Sequence, residues 1–439
     1  MAKKLFGTDG VRGVAGELLT AELALALGHV AARVCPAPRP QVLIVRDTRE
    51  SGPMLESALA AGVAQAGGEA VVAGVLPTPA ASILVRRLGL DLAAVISASH
   101  NPWRDNGVKF FGPHGAKLDP AMESEIEAGV AALDAGAAGE PTIGRVRELE
   151  GALDDYLRAL DSAFALDLSG LRVVLDCANG ATYRAAPAIF RRFGAEVEEM
   201  ATAPDGRNIN DGCGSTHPEP LAARVRETGA DIGFAFDGDG DRVLAVDSNG
   251  AIRDGDELIA IAARHLHAAD TLAGGVAVTV MSNYGFHQAM DAAGIEVATT
   301  DVGDRHVAAA LGEREWTLGG EQSGHIIWTE FAPTGDGIAS ALLILRALAG
   351  GSLSEAEPFQ RLPQVLEGVT VADRDAVAQA AEVWSAVERE NAALEGRGRV
   401  LVRPSGTEPL VRVMVEAPDE AEAEAVCERL VAIVREELA

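Results

Sequence analysis

Short apolar runs alternate along the chain with stretches whose apolar positions recur every three or four residues. The first pattern predicts buried strands and the second predicts helices. Val42–Val45 reads as a strand, Met54–Ala66 as a helix, Ala70–Val75 as a strand, Ala80–Leu88 as a helix and Ala93–Ala98 as a strand. Strands separated by helices imply βαβ units and a largely parallel sheet. The pattern restarts with strand Leu171–Leu175, helix Ala181–Phe193 and strand Glu196–Met200. Strands Ile232–Phe236 and Arg242–Val246 then flank an acidic turn. It restarts again with helix Glu257–His267, strand Gly275–Val280, helix Tyr284–Ala293 and strand Glu296–Thr299. The last segment differs: Gly368–Val371, Ala376–Glu390, Arg399–Val402, Val411–Glu416 and Ala421–Glu437 form a small βαββα unit. The expected class is α/β, with three α/β domains at 1–152, 153–250 and 251–364 and a smaller α+β domain at 365–439. Ala135–Pro141 is expected to be an exposed loop.

Composition narrows the function. Hydrophobic residues make up 48% of the 439, enough for several packed cores. The 37 basic and 65 acidic residues give a net charge of −28. That balance argues against nucleic acid or an anionic membrane as partner. An anionic substrate would need a local cluster of cations working against the global field. Cys35, Cys177, Cys213 and Cys427 form no CxxC pair and read as free thiols in a reducing cytoplasm. Ala339–Leu345, the most apolar later stretch, is too short to span a bilayer.

Four loops carry the candidate chemistry. Ser97-Ala98-Ser99-His100-Asn101-Pro102 follows a strand, where open α/β sheets bind ligands. An ordinary strand exit reads the same way. Asp237-Gly238-Asp239-Gly240-Asp241-Arg242 places carboxylates at alternate positions with glycines between, the oxygen-rich set that hard divalent cations take. An EF-hand is rejected, because Arg242 and Ser248 stand where a glycine and a glutamate are required. A solvated acidic turn is the competing reading. Gly319-Gly320-Glu321-Gln322-Ser323-Gly324-His325 offers polar groups for sugar hydroxyls on a loop permitting close approach. Arg403-Pro404-Ser405-Gly406-Thr407-Glu408-Pro409, with Arg412 beyond, offers hydroxyls, backbone N–H groups and two arginines as a phosphate cradle. Arg12 lies on a further glycine-rich segment, Gly7–Gly13.

Only four lysines occur: Lys3, Lys4, Lys109 and Lys117. Against so many arginines, Lys109 suggests a site that wants a compact ammonium with a shiftable pKa. Lys117 sits in no motif and is expected to tolerate arginine. No Walker A loop and no GxGxxG after a strand is present, which disfavours ATP and dinucleotide chemistry. A hydroxyl nucleophile, a metal loop, a sugar loop and a phosphate loop together indicate phosphoryl transfer on a phosphosugar.

These residues resemble the α-D-phosphohexomutase family over the whole chain, through LFGTDGVRG, RDTRESG, ISASHNPWRDNGVKFFG, NINDGCGSTHPE, FDGDGDR, TDVGDRHV, GGEQSGH and RPSGTEPLVRV. Gln322, Ile96-Ser97 and Cys213–Pro218 are most similar to its amino-sugar branch; mannose and glucose phosphates are the alternative substrates. The resemblance implies three similar α/β domains and a TATA-binding-protein-like fourth around a central cleft. It implies a phosphoserine at Ser99, which with Asp237, Asp239 and Asp241 would hold one Mg²⁺. It implies transfer to glucosamine 6-phosphate, with glucosamine 1,6-bisphosphate as the intermediate that returns a phosphoryl group and leaves glucosamine 1-phosphate. His100, Lys109, Arg242 and His325 would act around the reacting group. Arg12, Gly303, Asp304, Glu321 and Ser323 would bind the sugar, and Arg403, Ser405, Gly406, Thr407 and Arg412 the distant phosphate. A cytoplasmic enzyme, possible as a homodimer, is the resulting expectation.

Overall fold

The computed structural model describes residues 5–7, 9–134, 143–405 and 409–438. The loop expected at Ala135–Pro141 lies outside them, as do Thr8, Gly406 and Thr407. The chain divides into two compact units, Met1–Met281 with Ile295–Glu357, and Ser282–Gly294 with Pro358–Ala439.

The larger unit holds three sheets. The first runs in the order Val11–Val14, Asp105–Phe111, Leu92–Ile96, Gln41–Arg46, Glu69–Val75, Arg145–Glu148. The last four of these strands are parallel, as the alternating pattern requires. Asp105–Phe111 is antiparallel to both of its neighbours. Its polar start, Asp105-Asn106-Gly107, hid it in the sequence. The register sets Lys109 opposite Val95, inside the sheet rather than at a strand end. The second sheet runs Ile252–Arg253, Val243–Asp247, Ile232–Phe236, Arg172–Asp176, Glu196–Met200. Its hairpin of Ile232–Phe236 with Val243–Asp247 turns through the acidic loop. The third runs Val297–Thr300, Val276–Thr279, Leu318–Gly320, Ile326–Trp328, and a hairpin joins the last two around the sugar loop.

Capping explains several helix starts. Asp254 and Glu257 form a reciprocal capping box, so the helix expected from Glu257 begins at Gly255. Helix Ala21–Val34 starts on a Thr20 cap and packs against helix Gly52–Gln65 through two glycines. A Cβ on Gly28 would lie 2.2 Å from the Leu59 carbonyl oxygen, and one on Gly62 2.0 Å from that of Leu25. Gly337–Leu348 contains the apolar stretch Ala339–Leu345. Among the described residues no helix is long and apolar enough to cross a membrane.

The smaller unit is an antiparallel sheet with Leu410–Glu416 between Gln364–Thr370 and Arg399–Pro404. Helices Ala381–Ala393 and Glu420–Leu438 contribute to its core, which includes Val369, Val387, Val411, Val413 and Leu430. Helix Tyr284–Ala292 falls between strands of the third sheet in sequence yet belongs to this unit. The reason is local. The buried Glu416 carboxylate accepts hydrogen bonds from Tyr284 N (3.0 Å), Asn283 Nδ2 (3.2 Å) and Arg399 Nε (2.7 Å). That contact pattern is invisible to a one-dimensional pattern.

The Leu25 carbonyl oxygen and the His29 nitrogen of the facing helix stand against Gly62, so Gly62→Ala must push the two helices apart. We expect a loss of about 1–3 kcal/mol, the usual cost of overpacking. Thermal unfolding checks this; an unchanged Tm would mean that the helices yield freely.

Candidate active site

Strand Leu92–Ile96 delivers Ser99 in a left-handed conformation, φ 52°. Such a backbone costs a non-glycine residue of order 1–3 kcal/mol and persists only when its surroundings over-determine it. Arg49 does this. Its side chain is fully buried, and its guanidinium donates to the carbonyls of Ser99 (2.8 Å), Asn101 (2.8 Å), Asp105 (2.9 Å) and Pro102. Its Nε donates to Asp47 at 2.8 Å, and Asp47 also accepts from Ser97 Oγ at 2.6 Å. Ser97 Oγ accepts the Ser99 N–H at 2.9 Å. Asn210 Nδ2 donates to the Ser99 carbonyl from the second sheet's side at 2.9 Å. The runs RDTRESG and NINDG supply Asp47, Arg49 and Asn210, whose roles no local pattern marks.

Ser99 Oγ donates to Asp237 Oδ2 at 2.6 Å and stands 3.3 Å from His100 Nδ1. Burial, with Arg242 and Arg12 nearby, lowers the His100 pKa to about 4, so its imidazole is neutral. Asp237, Asp239 and Asp241 are all buried, and they offer ligand oxygens within 4.8 Å of one another. Glycine is required between them. A Cβ on Gly238 would lie 2.6 Å from the Ser99 carbonyl oxygen, and Gly240 has φ +74°.

The loop's environment separates its carboxylates. Burial and the charges of Asp241 and Asp239 push the Asp237 pKa well up. Burial acts the same way on Asp241, but Lys109, His325 and Arg242 hold it well below the usual carboxylate range. Asp239 Oδ2 accepts from Lys109 Nζ at 2.8 Å and from Thr78 Oγ1 at 2.6 Å. Asp239 Oδ1 and Asp241 Oδ1 are buried with no hydrogen-bond donor among the described residues. Two orphaned anionic oxygens in a three-carboxylate cluster fit a divalent cation and exclude the solvated-turn reading.

Lys109 departs from expectation in its chemistry. Burial would strip its charge, but Asp239, Asp9 and Asp241 together push its pKa upward. It is a fixed cation at the metal loop, 2.8 Å from Asp239, 3.5 Å from Asp241 and 3.9 Å from Asp9. In this state it is no proton acceptor. Lys117 departs further. Its Nζ bridges Asp9 and Asp304 at 2.5 Å each, with only 14% of its side chain exposed. Asp304 opens helix Asp304–Arg314, and its Oδ2 is 3.6 Å from His325 Nε2. The Gly303 N–H donates to Glu321 Oε1 at 3.0 Å, which ties the Gly303-Asp304 turn to the sugar loop. His325 Nδ1 faces Asp241 at 3.6 Å. Burial would lower its pKa, but Asp241 and Asp304 raise it. The Gly335 N–H donates to Nε2 at 3.1 Å, which needs a lone pair there and places the hydrogen of the neutral ring on Nδ1.

Arg12 pairs with Asp9, and Arg242 stands 3.9 Å from Asp241. The Nε atoms of both arginines are buried without a hydrogen-bond acceptor among the described residues. They are cations poised for an anionic ligand. A cavity of about 550 Å³ opens beside His100, lined also by Trp103, Arg207, Asn210, Asp211 and His217. Ser323 is exposed on its turn and Glu321 is half-buried. Arg403, Ser405 and Arg412 belong to the smaller unit. Arg403 and Arg412 stand opposite one another in adjacent strands, and burial plus Arg412 lowers the Arg403 pKa. Ser405 is buried and its carbonyl accepts from Arg374 at 2.6 Å.

The fold and this site define a phosphohexomutase, and sequence comparison agrees. The chain belongs to the phosphoglucomutase/phosphomannomutase family, whose α/β/α domains I, II and III match residues 3–137, 154–250 and 254–365, and whose C-terminal domain matches 366–433. Similar curated proteins are more particular. The phosphoglucosamine mutase of Desulforudis audaxviator is 50% identical, with 98% of each chain covered. That of Moorella thermoacetica is 51% identical, covering 96% of this chain and 97% of its own. Among solved structures, a phosphoglucomutase/phosphomannomutase family protein from Burkholderia thailandensis superposes with a TM-score of 0.84 at 25% identity, covering 99% and 97% of the two chains. Aspergillus fumigatus N-acetylphosphoglucosamine mutase, in complex with GlcNAc-6P and magnesium, shares the fold at a TM-score of 0.67 and 19% identity, covering 99% of this chain and 96% of its own.

The Lys117 bridge reverses the expectation of tolerance. Lys117→Met leaves Asp9 and Asp304 facing one another, and breaking a largely buried pair costs about 3–5 kcal/mol. Lys117→Arg, with a planar fork in place of a compact ammonium, should also lower Tm and raise the substrate KM. Melting curves and steady-state kinetics check both; an arginine variant matching the unsubstituted protein would leave the bridge without weight.

Proposed function

We propose that this chain is a phosphoglucosamine mutase, interconverting glucosamine 6-phosphate and glucosamine 1-phosphate through phospho-Ser99. The observation that carries the reading is Ser99 Oγ, held in a strained backbone 2.6 Å from a buried three-carboxylate loop. Curated relatives of that name at 50–51% identity over nearly the whole chain support the amino-sugar substrate over glucose or mannose phosphates. On this reading the domains fall at 1–152, 153–250, 251–364 and 365–439.

Phosphoryl transfer is mostly positioning and charge neutralisation. A phosphoryl group on Ser99 would add charge beside Asp237, Asp239 and Asp241. Mg²⁺ bound there would neutralise that charge and polarise the phosphoryl oxygens. Asp237, Asp239 and Asp241 would hold it, together with a phospho-Ser99 oxygen. Arg242 and Arg12 bring guanidinium donors to the transferring group. Lys109 keeps the loop's own charge balanced. Transfer breaks the Oγ–P bond and forms an O–P bond to a sugar hydroxyl, whose proton passes to a nearby base. His325 would take that proton at Nε2, where the sugar hydroxyl would have to displace the Gly335 N–H, while Nδ1 faces Asp241 at 3.6 Å. Glucosamine 1,6-bisphosphate then turns round and returns its other phosphoryl group to Ser99. Glu321, Ser323 and the Gly303-Asp304 turn take the sugar. On the smaller unit, Arg403, Ser405 and Arg412, with Gly406 and Thr407, take the phosphate that is not reacting. Arg403 and Arg412 stand opposite one another across the strand pair, where two guanidiniums would share one phosphate.

Ser99→Ala should abolish the covalent donor and reduce turnover by about three orders of magnitude or more. Intact mass and peptide mapping should place the phosphate on Ser99. Full activity of the alanine variant, or phosphate mapped only to Ser97, would overturn the mechanism. Asp239→Asn removes one unit of ligand charge at nearly constant shape. Calorimetric Mg²⁺ titration should show weaker binding, whereas full activity in chelator would remove the metal from the scheme.

A further inference from the structure

One buried polar pair takes no part in binding or transfer. Tyr156, on helix Ala152–Phe164, is fully buried, and its hydroxyl lies 3.0 and 2.9 Å from the two carboxylate oxygens of Asp336. Asp336 is 3% exposed. Its Oδ1 also accepts the Ala339 N–H at 2.9 Å, which caps helix Gly337–Leu348. A carboxylate held by a phenol from one helix and by the amide end of another is over-determined for a mere cap.

The residues flanking Asp336 touch the catalytic loops through backbone alone. The Gly335 N–H donates to His325 Nε2 at 3.1 Å. The Gly337 N–H donates to the Gly240 carbonyl, inside the acidic loop, at 3.0 Å. Both contacts are too close for a side chain. A Cβ on Gly335 would fall 2.6 Å from His325 Cε1 and 2.7 Å from the Asp241 carbonyl oxygen. One on Gly337 would fall 2.5 Å from the Arg242 carbonyl oxygen. Neither glycine can grip with a side chain of its own. Their placement is set by the residue between them.

We propose that Tyr156 and Asp336 are positioning residues for the acidic loop and His325: the Tyr156 hydroxyl pins Asp336, and Asp336 sets the two glycine N–H groups on His325 and Gly240. This rests on the mutase reading for its chemistry and on the hydrogen bonds alone for its geometry. Misplacing a catalytic group by a fraction of an ångström is costly, because productive geometry is narrow. Burial pushes the Asp336 pKa up to about 7, and the contacts described serve either protonation state.

The test compares Tyr156→Phe, Asp336→Asn and Asp336→Ala with Leu160→Ala, a core substitution on the same helix as Tyr156. Three quantities are read: Tm, Mn²⁺ affinity of the substrate-free protein, and kcat against KM for glucosamine phosphates. Tyr156→Phe and Asp336→Ala should lower kcat by about tenfold and weaken Mn²⁺ binding several-fold, with KM within about twofold. Asp336→Asn keeps an oxygen for Ala339 and a hydrogen-bonding amide for Tyr156, so it should recover most of both losses. Leu160→Ala should lower Tm while leaving kcat and Mn²⁺ affinity unchanged at temperatures well below melting. Two results overturn the proposal. One is Tyr156→Phe behaving as Leu160→Ala does, with only Tm affected. The other is Asp336→Asn being as impaired as Asp336→Ala, since charge and not placement would then be the property in use. Absence of turnover in the unsubstituted protein would instead defeat the mutase reading, and the Mn²⁺ measurements would still decide the positioning role.

Discussion

Burying three carboxylates in one turn is the constraint that organises this molecule. Asp237, Asp239 and Asp241 are each 5% exposed or less, and a buried charge without a partner is prohibitively costly. The loop itself provides only Arg242. The remaining compensation comes from elsewhere in the larger unit: Lys109 from the first sheet, His325 from the third, and Thr78 from a helix start. Each compensating group fixes the element that carries it. The antiparallel strand Asp105–Phe111 places Lys109, and the hairpin of Leu318–Gly320 with Ile326–Trp328 places His325. The site is therefore more than a feature set upon a finished fold. Its charge balance is one of the interactions joining the three sheets, and a bound divalent cation would complete it at the two oxygens still without donors.

The same logic applies to Ser99. A serine at positive φ is a poor choice on backbone grounds alone. Arg49 makes it tenable by collecting the carbonyls of Ser99, Asn101, Pro102 and Asp105 around one guanidinium. A planar fork of five donors suits that task, and it is why the largest fully buried side chain in the described structure is a charged one. The energy stored in the loop is offset by hydrogen bonds outside the reacting centre, so the hydroxyl stays free to face Asp237.

Much of this was legible in the sequence, and the limits have physical causes. The parallel strands Gln41–Arg46, Glu69–Val75 and Leu92–Ile96 emerged because buried strands are continuous apolar runs. Helix Gly337–Leu348 did not, since it is so widely buried that no polar face marks its period. Ser99, the acidic loop and His325 were visible because each motif concentrates its polar groups within a few residues. Asp9, Asp47, Arg49, Thr78, Lys117 and Tyr156 were not singled out. Each acts on a group distant in sequence or serves as backbone support, and neither leaves a local pattern. The membership of helix Tyr284–Ala292 in the C-terminal unit was hidden for the same reason, because buried Glu416 and the Leu362 backbone hold its start from far along the chain.

One compositional oddity then acquires an explanation. In a chain that uses arginine for 33 of its 37 basic residues, the only two lysines among the described residues are Lys109 and Lys117. Lys109 lies within 4 Å of three carboxylates and Lys117 of two, with Asp9 shared between them. A guanidinium presents its donors in one plane and pairs best with a single carboxylate face-on, as Arg305 does with Glu123. An ammonium is compact and carries three donors around a point, so carboxylates from different directions can converge on it. Of the two properties that single out Lys109, a compact ammonium and a shiftable pKa, its surroundings use the first, because the neighbouring carboxylates hold its charge. Lysine is used here for its shape. The row Asp239–Lys109–Asp9–Lys117–Asp304 alternates in charge from the acidic loop to the helix start beside His325. Arginine at either lysine position would force the carboxylates apart.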